Sequence, residues 1–193
     1  MNICVYGASS DAIDKKYISA GEVLGEEMAR RGHTLIFGGG ACGLMGAVAR
    51  GMSRENGTII GIAPSFFNID GVLYDKCDEF IYTETMRERK QIMEDRSDAF
   101  IMTPGGVGTF EEFFEIFTLK QLGRLKKAIA VLNTGGYYDS LSDLMQRTAD
   151  EHFMQPESLT LYSLFEDCDG MLDYIETYSC PDIDIRDMKY IEK

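Results

Sequence analysis

The sequence predicts an α/β fold, a doubly wound parallel sheet with helices on both faces. Three observations predict it. Short apolar runs alternate with longer stretches of helical periodicity, and glycine turns join them. The runs are apolar at nearly every position, as expected of strands covered on both faces. No linker, repeat or low-complexity segment interrupts the alternation, so residues 1–193 read as one domain with an acidic end over about 166–193. In such a sheet, right-handed crossovers place ligands at the carboxyl ends of the strands.

Residues 2–6 form the first strand, which stops at Gly7. Ile18, Val23, Leu24 and Met28 give helical spacing over 12–31, closed by Gly32. The strand at 34–37 runs into Gly38-Gly39-Gly40, and a helix at 43–54 ends near Gly57. Pro64 stops the strand at 58–63, and a loop-like stretch leads to a strand at 79–83. A charged helix at 85–96 precedes the strand at 98–103 and the turn Pro104-Gly105-Gly106. An apolar helix follows at 109–122, then a strand at 128–132 and a helix at 137–150. A strand at 160–165 and a helix at 169–178 complete the pattern.

Charge excludes some functions. The 32 acids against 19 bases give a net charge of −13, which repels nucleic acid and anionic lipid over most of the surface. Nine of the acids and three of the bases lie within 166–193, which reads as a solvated final helix and a polar tail. The five cysteines are widely spaced with no C-x-x-C, pointing to a reducing cytoplasm rather than a disulfide framework. His33 and His152 stand far apart with no ligand pattern near them, so no metal site is expected. No apolar run approaches about 18 residues and the N-terminus starts directly as a strand, so neither a membrane span nor a signal peptide is expected.

Two glycine clusters sit where strands give way to helices. The first, Gly38-Gly39-Gly40-Ala41-Cys42-Gly43-Leu44-Met45-Gly46, contains G-x-G-x-x-G, the dinucleotide fingerprint. That fingerprint also wants an acid at the end of the next strand, and here Asp70 is the first acid after Pro64. A phosphate or nucleotide cradle, a purely structural turn and an NAD site all remain open. The second cluster is Pro104-Gly105-Gly106-Val107-Gly108-Thr109, where glycines let the backbone approach an anion and the helix start supplies free N–H groups. Thr109 fits as the N-cap, which puts Glu112 at the capping-box position. The functional alternative for Glu112 is a carboxylate one turn from a bound phosphate, where a sugar would lie. Met86-Arg87-Glu88-Arg89-Lys90 is either a solvated charged face or a source of a two-pronged anion contact from Arg89. Apolar residues cover more than one stripe of the helix at 109–122, which is therefore buried on both sides or pairs with a second subunit.

Taken together, these residues resemble the LOG family of cytokinin-activating phosphoribohydrolases, often mislabelled as lysine decarboxylases. Gly38 to Gly46, Met86-x-x-Arg89-Lys90 and Pro104-Gly105-Gly106-x-Gly108-Thr109-x-x-Glu112 carry the resemblance, which continues through Thr118, Gln121-Leu122-Gly123, Leu132-Asn133 and Gly136-Tyr137-Tyr138. It spans roughly residues 1–155. It implies a Rossmann-like homodimer, joined here through the helix at 109–122, that hydrolyses the N-glycosidic bond of N6-substituted adenosine 5′-monophosphates without a cofactor. By resemblance, Arg89 and Glu112 form the catalytic pair, and the turn with Gly105, Gly106, Gly108 and Thr109 binds phosphate. Gly39, Gly40 and Gly43 complete the cradle, while Lys90 and Thr118 help place the nucleotide. A non-catalytic nucleotide-binding or carrier protein with the same two turns is the alternative. The first strand ends Tyr6-Gly7-Ala8-Ser9 where family members more often show Cys-Gly-Ser, and Pro64-Ser65-Phe66 stands where plant members carry an acid. The second departure leaves the N6-substituent open and makes plain adenosine monophosphate a plausible substrate.

Overall fold

A computed structural model describes residues 1–181 and 188. Seven strands form one all-parallel sheet. They are β1 (Asn2–Tyr6), β2 (Thr34–Phe37), β3 (Ile59–Pro64), β4 (Glu79–Thr83), β5 (Ala99–Met102), β6 (Ala128–Leu132) and β7 (Ser163–Phe165). Their order is β4-β3-β2-β1-β5-β6-β7. The winding reverses at β1, which pairs with β2 through Ile3↔Leu35 and with β5 through Ile3↔Ala99.

The helices are α1 (Lys15–Arg30), α2 (Gly43–Arg54), α3 (Met86–Arg96), α4 (Val107–Gln121), α5 (Asp139–Asp150) and α6 (Cys168–Thr177). Alternate strand residues feed two cores. Ile3, Val5, Leu35, Phe37 and Ile101 pack with Leu24, Met28, Val48 and Leu172 of α1, α2 and α6. Cys4, Tyr6, Ile36, Phe100 and Met102 pack on the other face with Met93, Phe113, Phe117 and Met145 of α3, α4 and α5. Period-two side-chain alternation thus sends each strand into both layers, which is why the strands read as unbroken apolar runs.

The starts of α1, α4, α5 and β7 each differ from the sequence pattern by two or three residues. Asp14 caps α1 by accepting from the Lys16 N–H at 2.9 Å, so the helix begins three residues later than the pattern suggests. Gly106, not Thr109, is the N-cap of α4; the helix opens at Val107 and Thr109 is its third residue. Glu112 is then one turn too deep for a capping box. Pro156 opens a 3-10 turn, Pro156–Leu161, that takes the first two residues of the expected strand at 160–165, leaving Ser163–Phe165 for β7.

The acids of α6 are not simply solvated. Asp167 caps the helix through the Gly170 N–H at 2.7 Å. Asp169, Asp173 and Glu176 converge on Arg31 at 3.0, 2.6 and 3.3 Å, tying α6 to the end of α1. Asp182, Asp184, Asp187 and Glu192 of the expected polar tail lie outside the described residues. No described helix is long and apolar enough to cross a membrane.

Candidate active site

The carboxyl ends of β1, β2 and β5 open into a pocket of about 660 Å³ at the point where the winding reverses. Its walls come from Gly7 to Ser9 after β1, from Gly38, Gly40 and Cys42 after β2, and from Gly106 to Thr109 at the start of α4. Met86 and Arg89 of α3 and Glu112 of α4 complete its floor.

Arg89 and Glu112 meet there. Thr85 caps α3 by accepting from the Glu88 N–H at 3.1 Å, and this sets Arg89 on the inward side of the second turn. Both side chains are about nine-tenths buried. Arg89 Nη2 donates to Glu112 Oε1 at 3.0 Å, while its Nε donates to the Ile62 carbonyl at 3.3 Å. Gly38 makes room for this arrangement, since a Cβ there would lie 2.3 Å from Arg89 Nη2. Glu112 Oε2 has no hydrogen-bond partner among the described residues and is not sealed from solvent, which leaves it for a ligand. Burial pushes the Glu112 carboxyl above the usual glutamate range, and the facing guanidinium opposes that push.

The two glycine turns have different local chemistry. At the start of α2, the Gly43 N–H donates to Asp11 Oδ1 at 2.7 Å. The Leu44 and Met45 N–H groups both donate to the Ala8 carbonyl, at 2.9 and 3.1 Å. The chain itself therefore occupies that helix start. At the start of α4 the first helical bond runs from the Phe110 N–H to the Gly106 carbonyl at 3.0 Å. Among the described residues, nothing accepts from the N–H groups of Val107, Gly108 and Thr109. These donors line the pocket at the positive end of a helix dipole, an arrangement suited to an anion.

Of the residues singled out from sequence, Gly40, Arg89, Gly106, Gly108, Thr109 and Glu112 line the pocket. Gly39 stands behind it at φ +77 and accepts from the Tyr74 N–H at 2.8 Å. Gly43 is spent on Asp11, and Gly105 lies beneath Thr109, whose Oγ1 would be 2.1 Å from a Cβ at 105. Lys90 points to Glu115 at 2.8 Å and to Glu111, and Thr118 is exposed on α4; neither lines the pocket. Sequence reasoning missed the strap over 65–78, whose Phe67, Gly71, Val72 and Leu73 form one wall. Backbone bonds fix it to the first glycine turn, from the Ala41 N–H to the Val72 carbonyl at 3.0 Å and from the Tyr74 N–H to the Gly39 carbonyl. The signal was present as Phe66-Phe67 in a loop, both exposed, since large apolar residues on a loop mark binding surfaces.

Comparison with known proteins assigns the family. The family described as "possible lysine decarboxylase" matches residues 45–175. A cytokinin riboside 5′-monophosphate phosphoribohydrolase of Mycobacterium tuberculosis is 40% identical over 157 residues, covering 81% of this chain and 83% of that protein. The chain belongs to the LOG family. A phosphoribohydrolase of the same name from Arabidopsis thaliana is 33% identical and covers 91% of this chain and 83% of its own. A probable one from Oryza sativa is 34% identical, covering 92% and 71%. Among solved structures, a molybdenum cofactor carrier protein from Chlamydomonas reinhardtii superposes with a TM-score of 0.68 at 21% identity, covering 91% of this chain and 94% of its own. The molybdenum cofactor binding protein of Rippkaea orientalis gives 0.67 at 19%, with the same coverage. Both share the LOG-type α/β fold. The decarboxylase description does not suit the pocket of this LOG protein. A pyridoxal phosphate enzyme needs a lysine for its Schiff base, and no described lysine lines the pocket. Lys120, which burial lowers to about 8, lies elsewhere on α4 and donates to the Lys127 carbonyl at 2.8 Å.

Proposed function

We propose that this LOG protein hydrolyses the N-glycosidic bond of an adenosine 5′-monophosphate, with or without an N6-substituent, to the free base and ribose 5-phosphate. The observation that carries the reading is the buried Arg89–Glu112 pair beside a helix start whose N–H groups are open. Relatives at 33–40% identity named as cytokinin riboside 5′-monophosphate phosphoribohydrolases support it.

The phosphate sits on the N–H groups of Val107, Gly108 and Thr109, which places the ribose over Glu112. As the bond from C1′ to the base lengthens, positive charge grows on the sugar ring. The Glu112 carboxylate stabilises that charge and orients water toward C1′. The water oxygen bonds to C1′ as the bond to the base breaks; the water gives up one proton and the departing base takes up one, so that one water is added across the bond in total. Arg89 keeps the carboxylate ionised and fixed in orientation. Phosphate binding supplies the alignment, so adenosine reacts poorly beside its monophosphate.

The test is product analysis with adenosine monophosphate and its N6-isopentenyl form, repeated with Glu112→Gln. Release of base and ribose 5-phosphate is expected, with kcat lowered about 10²–10³-fold in the variant. Equal turnover of adenosine and its monophosphate would sink the phosphate's role, and full activity in Glu112→Gln would remove the carboxylate from the mechanism. Tight nucleotide binding without turnover would favour the carrier alternative.

We further propose a homodimer joined through α4. Its inner face carries buried Phe113, Ile116 and Phe117, while Phe114 stays 37% exposed between Glu111 and Thr118 on the outer face. Light scattering that returns the mass of a single chain would refute the dimer. The free cysteines fit a cytoplasmic location, which fractionation tests.

A further inference from the structure

Tyr137 and Tyr138 follow β6 and do not line the pocket, yet both hydroxyls end on the turn between β5 and α4. Four successive carbonyls of that turn are engaged. The Thr103 oxygen accepts from the Tyr138 hydroxyl at 2.7 Å, and the Pro104 oxygen from the Ala8 N–H at 3.1 Å. The Gly105 oxygen accepts from the Tyr137 hydroxyl at 2.8 Å, and the Gly106 oxygen from the Phe110 N–H at 3.0 Å.

An anion site fails if a carbonyl oxygen turns toward its ligand, because that replaces a donor with a repelling dipole. Glycine at 105 and 106 leaves the peptide planes here unusually free to rotate. The restraint therefore has to come from the partners of the carbonyl oxygens, and two of the four are tyrosine hydroxyls.

The tyrosines are themselves held. Asn133 Oδ1 accepts from the Tyr138 N–H at 2.6 Å, and Asn133 Nδ2 donates to Asp139 Oδ1 at 2.8 Å. The bend before them takes Gly135 and Gly136 through φ +62 and +72, and a Cβ at 136 would lie 2.6 Å from Asp139 Oδ2. The Tyr137 ring meets Tyr17 edge-on at 5.6 Å and Tyr138 at 4.9 Å, and Tyr138 meets Phe110 of α4 at 6.1 Å.

We propose that Tyr137 and Tyr138 are positioning residues for phosphate: their hydroxyls fix the carbonyls of Gly105 and Thr103 so that the N–H groups at the start of α4 stay presented to the anion. The choice of substrate rests on the phosphoribohydrolase reading; anion binding does not.

The experiment uses Tyr137→Phe, which keeps the ring contacts and removes one hydroxyl, with Tyr138→Phe as the second variant. Calorimetry measures affinity for ribose 5-phosphate and for adenosine, and steady-state kinetics follow adenosine monophosphate. For Tyr137→Phe the melting temperature and adenosine affinity are expected to match the parent protein. Ribose 5-phosphate affinity falls about five- to tenfold, and KM rises by the same factor at unchanged kcat. Tyr138→Phe shows the same split, with a lower melting temperature because the Thr103 carbonyl loses its partner in the interior. Unchanged ribose 5-phosphate affinity in both variants overturns the proposal, as does a parallel loss of adenosine affinity, the mark of a merely structural role. A parent protein that binds ribose 5-phosphate but does not hydrolyse the monophosphate defeats the hydrolase reading alone. One that binds no ribose 5-phosphate defeats the anion site, and this proposal with it.

Discussion

Glu112 shows how one residue's chemistry depends on where its helix begins. From spacing alone it fits the third position of a capped helix, where a carboxylate serves the backbone. In the fold α4 starts two residues earlier, so the same side chain is carried past the helix end and into the floor of the pocket. There, burial disfavours its charge and Arg89 favours it, with burial the larger effect. The consequence for activity has a definite sign. The mechanism needs the carboxylate, and a raised pKa means the proton returns at higher pH than for an exposed glutamate. The acid limb of the kcat–pH profile is therefore expected above pH 4.5, the ordinary glutamate value. Replacing Arg89 with methionine removes the opposing charge, so in whatever activity survives the limb should move further toward neutral pH. A limb at or below 4.5 in the parent protein, or one that moves to lower pH in Arg89→Met, would contradict this assignment.

At the scale of elements, α1 and α2 approach closely at two glycines. A Cβ on Gly25 would lie 2.1 Å from the Val48 carbonyl oxygen, and one on Gly51 would lie 2.1 Å from that of Glu22. The obstacle in each case is backbone, which cannot rotate aside. Gly25→Ala should force the two helices apart and cost about 1–3 kcal/mol, which for a chain of this size lowers the melting temperature by about 2–12 °C. Gly32 provides the contrast. It needs a positive φ of +73 but has nothing within 4 Å of its Cβ position, so Gly32→Ala strains only its own backbone, at about 1 kcal/mol. Thermal melts of the two variants decide the matter, and a Gly25→Ala melt equal to the parent's would refute the close-contact argument. The same elements show what the sequence made legible. Strands covered on both faces announce themselves as unbroken apolar runs, and the glycines around them mark where helices start or stop. The strap at 65–78 lacks any period, because local turns and scattered bonds hold it, among them those to the first glycine turn and one between the Tyr74 and Ser53 hydroxyls, so only its exposed Phe66-Phe67 hints at a pocket wall. β7 starts three residues later than the expected strand at 160–165, because Pro156 commits the backbone to a 3-10 turn that runs through Leu161. In the site, Arg89 and Glu112 stood out as residues, but nothing in their 23-residue separation says that two helices bring them within hydrogen-bond distance.

On the scale of the whole molecule, a protein carrying −13 is proposed to bind a doubly charged anion. Counting the charges that reach the ligand resolves the conflict. Among the described residues, the pocket lining includes one cation, Arg89, and one anion, Glu112, and these neutralise each other. Lys90 lies outside the lining and is held by Glu111 and Glu115. With no surplus cation among the described lining residues, the attraction proposed for phosphate rests on backbone N–H dipoles at the start of α4, which act over a few ångströms in a partly desolvated site. The repulsion comes from distant surface carboxylates and is long-ranged, so dissolved salt screens it first, the Debye length falling to about 10 Å at 0.1 M. Raising salt therefore weakens the unfavourable contribution and leaves the favourable one nearly intact. The dissociation constant for adenosine monophosphate should stay flat or tighten slightly between about 50 and about 500 mM salt, in contrast to a site built on lysine and arginine. Titrations across that range provide the measurement. A tenfold loss of affinity would show that a mobile cation, with Arg87 and Lys90 the nearest candidates in sequence, joins the phosphate once the nucleotide is bound.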